Sequence, residues 1–238
     1  MADNNNLTRV GVRAPINLSN PLWNNLVSGW RFDNDLNDVL GVANGTFFNG
    51  ANFSTGKVGD AASFDGIDDY VFLGNNLHDT LHQGDWSLSL WMYKTNTAQG
   101  ALYSTIYVGP GVKSYGALLG GTTTYSFQIY ANSQSQMLLP FGTFVTNQWN
   151  HLVVTRSSSL GNYKSYLNGT LISTVSSAVN PTYLNGYVNR VTQGGRQFSA
   201  MAQFLNGKID ETYIWNKVLS DSEVTELYNS NNGKQYPN

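Results

Sequence analysis

The sequence predicts an all-β sandwich closed by one short helix near its C-terminus. Three observations carry this expectation. Short segments with two-residue apolar alternation recur along most of the chain, separated by clusters of Gly, Asn, Asp and Ser. Glycine (24) far outnumbers proline (6), as tight turns between many strands require. At 238 residues, with 41% hydrophobic and 12% charged residues, the chain suits one large β domain with a buried core.

Residues 1–20 (MADNNNLTRVGVRAPINLSN) sustain neither a strand nor a helix period. They read as a solvated tail or as an arm laid along a neighbouring subunit. Residues 21–230 form the expected domain, and 231–238 a second short tail. Leu26–Phe32 is an early strand, and Ala62–Phe64 and Tyr70–Leu73 flank a turn at Asp65–Asp69. In the next strand Trp86, Leu88, Leu90 and Met92 share one face. Trp91 and Tyr93 point the other way, so this strand is expected to be covered on both sides. Tyr125, Phe127 and Ile129 alternate with Ser126, Gln128 and Tyr130 as in a half-buried strand. Trp149–Thr155 and Lys164–Leu167 add two more, the second ending at the hairpin pair Asn168-Gly169.

The helix is the best-specified element. Ser220 stands at an N-cap with Glu223 three residues on, the reciprocal capping-box spacing. Asp221 in the first turn suits the helix dipole. Val224, Leu227 and Tyr228 make one apolar stripe, and Asn231-Asn232-Gly233 supplies a stop.

Composition excludes several classes. A net charge of −2 and the lack of any five-residue basic run speak against a nucleic-acid partner. There is no cysteine, hence no disulfide framework and no thiolate metal site. No apolar run approaches the length of a membrane span. The first twenty residues hold no apolar signal-peptide core and begin at a Met, so synthesis in a cytoplasm without the usual export route is expected.

Catalysis is disfavoured as well. Glycoside hydrolysis needs two carboxylates flanking one bond. Only Glu211, Glu223 and Glu226 exist, and Glu223 is assigned to the helix cap. His78, His82 and His151 lack a zinc-binding spacing, and neither a Gly-x-Ser-x-Gly elbow nor a phosphate-cradling Gly loop with Lys is present. No catalytic residue is expected.

Six segments then succeed one another over residues 26–229. Gly29-Trp30-Arg31-Phe32-Asp33 is followed by Asp38 and Asn44-Gly45. Gly56 to Val71 carries Gly-Lys-x-Gly, Phe-Asp-Gly and Asp-Tyr-Val elements in order. Asp85–Trp91, Gln148–Thr155, Tyr166–Gly169 and Gly207–Glu211 precede the closing helix. In this order they resemble the laminin-G-like, concanavalin-A-like jelly-roll family of lectin- and glucanase-like sandwiches. The resemblance implies two stacked antiparallel sheets, often a bound calcium, and ligands on the concave sheet or on rim loops. The departures are residues 100–145, rich in Tyr, Thr and Gly, and both ends.

Two kinds of site follow as expectations. Asp33, Asp35 and Asp38 share one Asn/Gly-rich loop, Asn44 can add a side-chain oxygen, and the resemblance brings Asp210 to the same edge. Together they are a candidate structural calcium site, against the plainer reading of Asx-turns and loop caps. The Asp65–Asp69 cluster reads as a tight turn, with a second cation as the alternative. For glycan contact, aromatic rings on which a sugar can stack are needed, and Tyr103, Tyr107, Tyr115 and Tyr125 crowd the divergent stretch. Tyr is equally a good strand residue.

The expected function is that of a non-enzymatic surface module. The leading reading is a structural or decoration protein of a bacteriophage virion, on the virion surface, contacting other subunits through residues 1–20 and adhering to cell-surface glycans. The alternative is an extracellular carbohydrate-binding lectin, free or excised from a secreted protein. A homo-oligomer is compatible with both, and a glycan-active enzyme stands third.

Overall fold

The computed structural model describes residues 20–74, 84–109, 112–120, 124–131, 134–177, 188–197 and 201–237. The expected arm at residues 1–20 lies outside them, apart from Asn20. In chain order the first strands are β1 (Leu26–Trp30), β2 (Thr46–Phe48), β3 (Asn52–Thr55), β4 (Asp60–Asp65), β5 (Tyr70–Phe72) and β6 (Trp86–Lys94). Next come β7 (Gly100–Gly109), β8 (Val112–Gly120), β9 (Thr124–Ala131), β10 (Gln134–Thr143), β11 (Trp149–Ser157) and β12 (Asn162–Leu167). The chain closes with β13 (Thr170–Ser176), β14 (Val188–Gln193), β15 (Arg196–Gln197), β16 (Met201–Ala202), β17 (Asn206–Trp215) and the helix α1 (Asp221–Tyr228).

Two antiparallel sheets form the sandwich. One has eight strands, ordered β13-β12-β11-β6-β17-β4-β3, with β1 paired to β17. The other has seven, ordered β10-β9-β8-β7-β14-β5-β2. The divergent stretch 100–145 thus supplies the β7–β10 meander of the second sheet. β12 and β13 join through Asn168-Gly169 with φ of 51° and 77°, the twist that a two-residue hairpin needs.

Period-two patterning decides what lies between the sheets. Trp86, Leu88, Leu90 and Met92 of β6 enter the main core with Trp30, Phe64, Tyr103, Tyr125, Phe127 and Ile214. The alternate residue Trp91 is equally buried but on the opposite face, where its ring lies 4.9 Å from His151 and 5.8 Å from Tyr228 of α1. A second apolar layer of Trp23, Val153, Tyr166, Tyr213, Trp215, Val224 and Leu227 fills the space between the eight-stranded sheet and α1. The helix forms because Ser220 Oγ accepts from Glu223 N while Glu223 Oε2 accepts from Ser220 N, satisfying two otherwise orphaned donors.

The C-terminal end departs from the expected free tail. Tyr236 is buried in the second apolar layer, and its N–H donates to Tyr213 Oη at 2.9 Å. At the other end Asn20 Nδ2 donates to Glu226 on α1, and Lys217 Nζ to Pro21 O. Both ends of the described chain are therefore tied to the body beside the helix. No helix among the described residues is long and apolar enough to cross a membrane.

Candidate functional site

Three polar constellations stand out, and the expected calcium ligands divide between two of them. Asp38 organises its own loop. Its buried carboxylate accepts from Ser28 Oγ and from the backbone N–H groups of Gly29, Leu40, Val42 and Ala43. Asn44 Oδ1 accepts from Asp38 N, and Asp35 Oδ1 from Asn37 N. These three residues fold a loop, in line with the plainer reading, and Asp38 has little room left for an ion beside five donors.

Asp33 and Asp210 do come together, under the loop at residues 56–59. Asp210 Oδ2 accepts from Lys57 N at 2.7 Å and Val58 N at 3.0 Å, and Asp33 Oδ1 from Asp60 N at 3.1 Å. Sequence reasoning missed two members of this hub, Glu211 and Gln235. A register shift in the β17–β6 pairing between Asp210 and Tyr213, with Glu211 at φ 47°, marks a bulge. The bulge turns two consecutive acidic residues towards the outer face, where plain alternation would separate them. Gln235 Nε2 donates to both Asp33 Oδ2 and Glu211 Oε1, and Tyr213 Oη donates to Glu211 Oε2. Gln235 reaches the hub only because the last residues fold back.

Arg31 Nε lies 3.7 Å from Asp33 Oδ2, while Asp210 and Glu211 are in none of the ion pairs found among the described residues. Burial pushes the Asp210 carboxyl up to about 8 despite three backbone donors, with Asp33 adding repulsion. Burial and then neighbouring Asp210 push Glu211 well above the carboxylate range. Three carboxylates so close are oxygen donors of the kind a hard cation such as calcium takes.

The third constellation is on the rim. Asp65 ends β4 and Asp68 and Asp69 follow it, and their carboxylate oxygens all lie within 4.8 Å of one another, so the triad could hold a metal ion. It also folds the turn as predicted. Asp69, buried, accepts from Asp65 N at 2.9 Å and Gly50 N at 2.6 Å, and Asp65 Oδ1 accepts from Ile67 N at 2.7 Å.

The expected sugar-stacking tyrosines are placed differently. Tyr103 and Tyr125 are 0% and 1% exposed and belong to the core, so neither ring offers a face to a sugar. The pattern misled because Tyr fills a sandwich interior as readily as it decorates a surface. Tyr107 and Tyr115 lie on β7 and β8, with side chains outside the described residues. An exposed aromatic stands elsewhere: Phe48 of β2, stacked on Tyr70 of β5 with centroids 4.7 Å apart. His78 and His82 fall outside the described residues. His151 is buried against Ser89 Oγ, and burial lowers its pKa to about 3.

A laminin-G family model, described as the concanavalin A-like lectin/glucanases superfamily, matches residues 65–225, more than half of the chain. The chain belongs to this superfamily. No curated protein matches the sequence significantly. Among solved structures the superfamily fold is similar to domain 4 of AbnA, a GH43 extracellular arabinanase from Geobacillus stearothermophilus, in complex with arabinotriose. The TM-score is 0.68 at 22% identity, covering 85% of this chain and 98% of that one. It is also similar to the binding domain of botulinum neurotoxin DC in complex with rat synaptotagmin II. There the TM-score is 0.64 at 19% identity, covering 87% of this chain and 52% of that one. A Trypanosoma rangeli sialidase mutant displaying trans-sialidase activity matches with a TM-score of 0.65 at 14% identity, over 90% of this chain but 34% of its own. These likenesses concern the fold, which enzymes and binding domains share.

Proposed function

We propose that this chain is a carbohydrate-binding module that recognises glycans without transforming them. One observation carries the reading. The eight-stranded sheet is covered over β11, β12 and β17 by α1 and the second apolar layer, whereas the outer face of the seven-stranded sheet is exposed on two flanks around a buried middle at Thr192 and Ser104. On one flank Thr46 and Phe48 are exposed, and on the other Leu138 and Pro140, with Gln128 Nε2 donating to Ser126 Oγ between them. Register links the flanks in one row from Thr46 and Phe72 to Gln128 and Leu138, but its central members Thr192 and Ser104 are buried, so each flank is a separate surface. A shallow face mixing aromatic, amide and hydroxyl groups suits sugars, which offer both C–H surfaces and hydroxyls.

The superfamily assignment supports this reading, as does the arabinotriose held in complex by the similar arabinanase domain. They favour the free or excised lectin over the virion decoration protein. A virion protein of this fold would use the same face for adhesion, so it is a setting for the module rather than a rival chemistry. Calcium at the Asp33–Asp210–Glu211 hub serves as a structural ion in this proposal. A printed glycan array probed with the whole chain tests the function, with labelled oligosaccharides incubated in parallel. Binding to at least one glycan class without cleavage is expected. No binding across the array, or product formation, refutes the proposal.

A further inference from the structure

We infer that the flank built from Phe48, Tyr70 and the Asp65–Asp69 turn is a subsite for an uncharged sugar ring; this rests on the carbohydrate-binding reading and narrows it to a place and a ligand charge. Phe48 and Tyr70 are register partners, and their rings lie parallel within 1°. β2 is the edge strand of its sheet, so among the described residues no further strand pairs beyond Phe48, which is 39% exposed. The preceding residue Phe47 turns inward and meets Phe53 at 4.8 Å. The core is thus served by Phe47, and Phe48 presents an apolar ring to water that a sugar's C–H face can cover.

The turns that adjoin Phe48 and Tyr70 in the chain carry a rigid set of acceptors. The turn after β2 and the turn before β5 are locked together. Asn49 Nδ2 donates to Asp68 O at 2.6 Å, Gly50 N to Asp69 Oδ1 at 2.6 Å, and Asn206 Nδ2 to Asp65 O at 2.8 Å. Asp69 is the buried pin, while Asp65 and Asp68 are exposed. Among the described residues no protein donor engages the Asp68 carboxylate, and no lysine or arginine pairs with any of the three. A ligand here meets carboxylates that accept from hydroxyls, and a charge that repels sialic acids and uronates. Rigid turns keep the ordering cost of that contact low. The chemistry therefore selects a neutral ring stacked on Phe48 with a hydroxyl donated to Asp68.

The test is a glycan array of neutral oligosaccharides with their sialylated and uronate-containing counterparts, read once with calcium and once in EDTA, and followed by calorimetry on the best neutral glycan. Binding confined to neutral glycans, weakened at least about tenfold by Phe48→Ala, is expected. Phe48→Tyr should recover most of it, and Asp68→Asn should weaken it less than the alanine. Leu160→Ala, at an exposed turn tip on β11–β12, is the control, and thermal melts check folding of each variant. Glycan binding that Phe48→Ala leaves intact, that favours the anionic counterparts, or that EDTA abolishes overturns the subsite but spares the module reading. An array without any signal overturns both.

Discussion

A Cβ on Gly59 would stand 2.0 Å from Asp33 Oδ1. Gly59 also has φ +66°, a conformation L side chains rarely adopt, and Gly56 is as crowded, with a Cβ landing 2.6 Å from Asp210 Oδ2. The Gly-Lys-x-Gly motif is thereby explained: two glycines let the loop's N–H groups close on the carboxylates. Gly59→Ala should destabilise the domain by about 1–3 kcal/mol through strain and displaced carboxylate contacts. Lys57→Ala should cost less, because its contribution to the hub is a backbone N–H. Urea denaturation of the two variants side by side checks this.

That motif shows how far the sequence could be read. Its presence, and its distance from Asp33 and Asp210, were plain in the residues, as were the sandwich, the Asn168-Gly169 hairpin and the capped helix. Local chemistry encodes those elements, so local reading finds them. The hub's other members were hidden for physical reasons. Glu211 joins through a bulge, which breaks the alternation that sequence patterns assume. Gln235 joins through a chain reversal after α1 that depends on Tyr236 finding the second apolar layer. Tyr103 and Tyr125 failed differently. Alternation placed Tyr125 with Phe127 and Ile129 on one face, but only the packing of two sheets showed that face to be the interior.

Asp38→Ala should be among the most damaging single changes. It removes a buried carboxylate from five donors, four of them backbone N–H groups. Stranded buried donors of this kind cost on the order of 3 kcal/mol. Asp35→Ala removes one exposed turn bond and should cost under about 1 kcal/mol. A similar effect of both substitutions on the urea midpoint would contradict this division of the loop.

Ser220→Ala should cost about 1 kcal/mol by opening the capping box. The loss should surface first on the outer layer of the eight-stranded sheet, because α1 is what covers Trp91, Val153 and Tyr166. Hydrogen exchange should therefore quicken at α1 before it does at β6. Uniform quickening across the sandwich would argue against a separately opening helix.

Lys94 ends the core-facing row of β6, fully buried, with its ammonium 5.2 Å from the Tyr125 ring and 5.5 Å from Phe144. Burial lowers its pKa from 10.5 to about 8. Between those values the unfolded chain binds more protons than the folded one, so stability rises with pH across that window. Lys94→Met should fill the same space without charge and flatten the rise. Urea midpoints between pH 7 and 10 for both proteins decide it, and parallel curves would assign the rise to another group.

The hub should give a pH dependence of the opposite sign. Asp210 is raised from 3.8 to about 8 by burial, and Glu211 lies well above its usual value. Across that window the folded chain holds more protons than the unfolded one, so the contribution is full below the unfolded value and lost as pH rises towards 8. His151, lowered from 6.5 to about 3, works against it at acid pH, because its contribution grows as pH rises through that range. Subtracting the melting curves of Asp210→Asn from those of the wild type cancels His151 and isolates the hub. In EDTA the wild type should lose melting temperature relative to the variant between pH 5 and 8. On the proposal that calcium binds the hub, the ion displaces the hub's protons, so millimolar calcium should raise the wild-type melting temperature more at pH 8 than at pH 5. The variant should respond weakly at both. A wild type indifferent to calcium at pH 8 would leave the carboxylates as a proton-holding cluster and dismiss the structural ion.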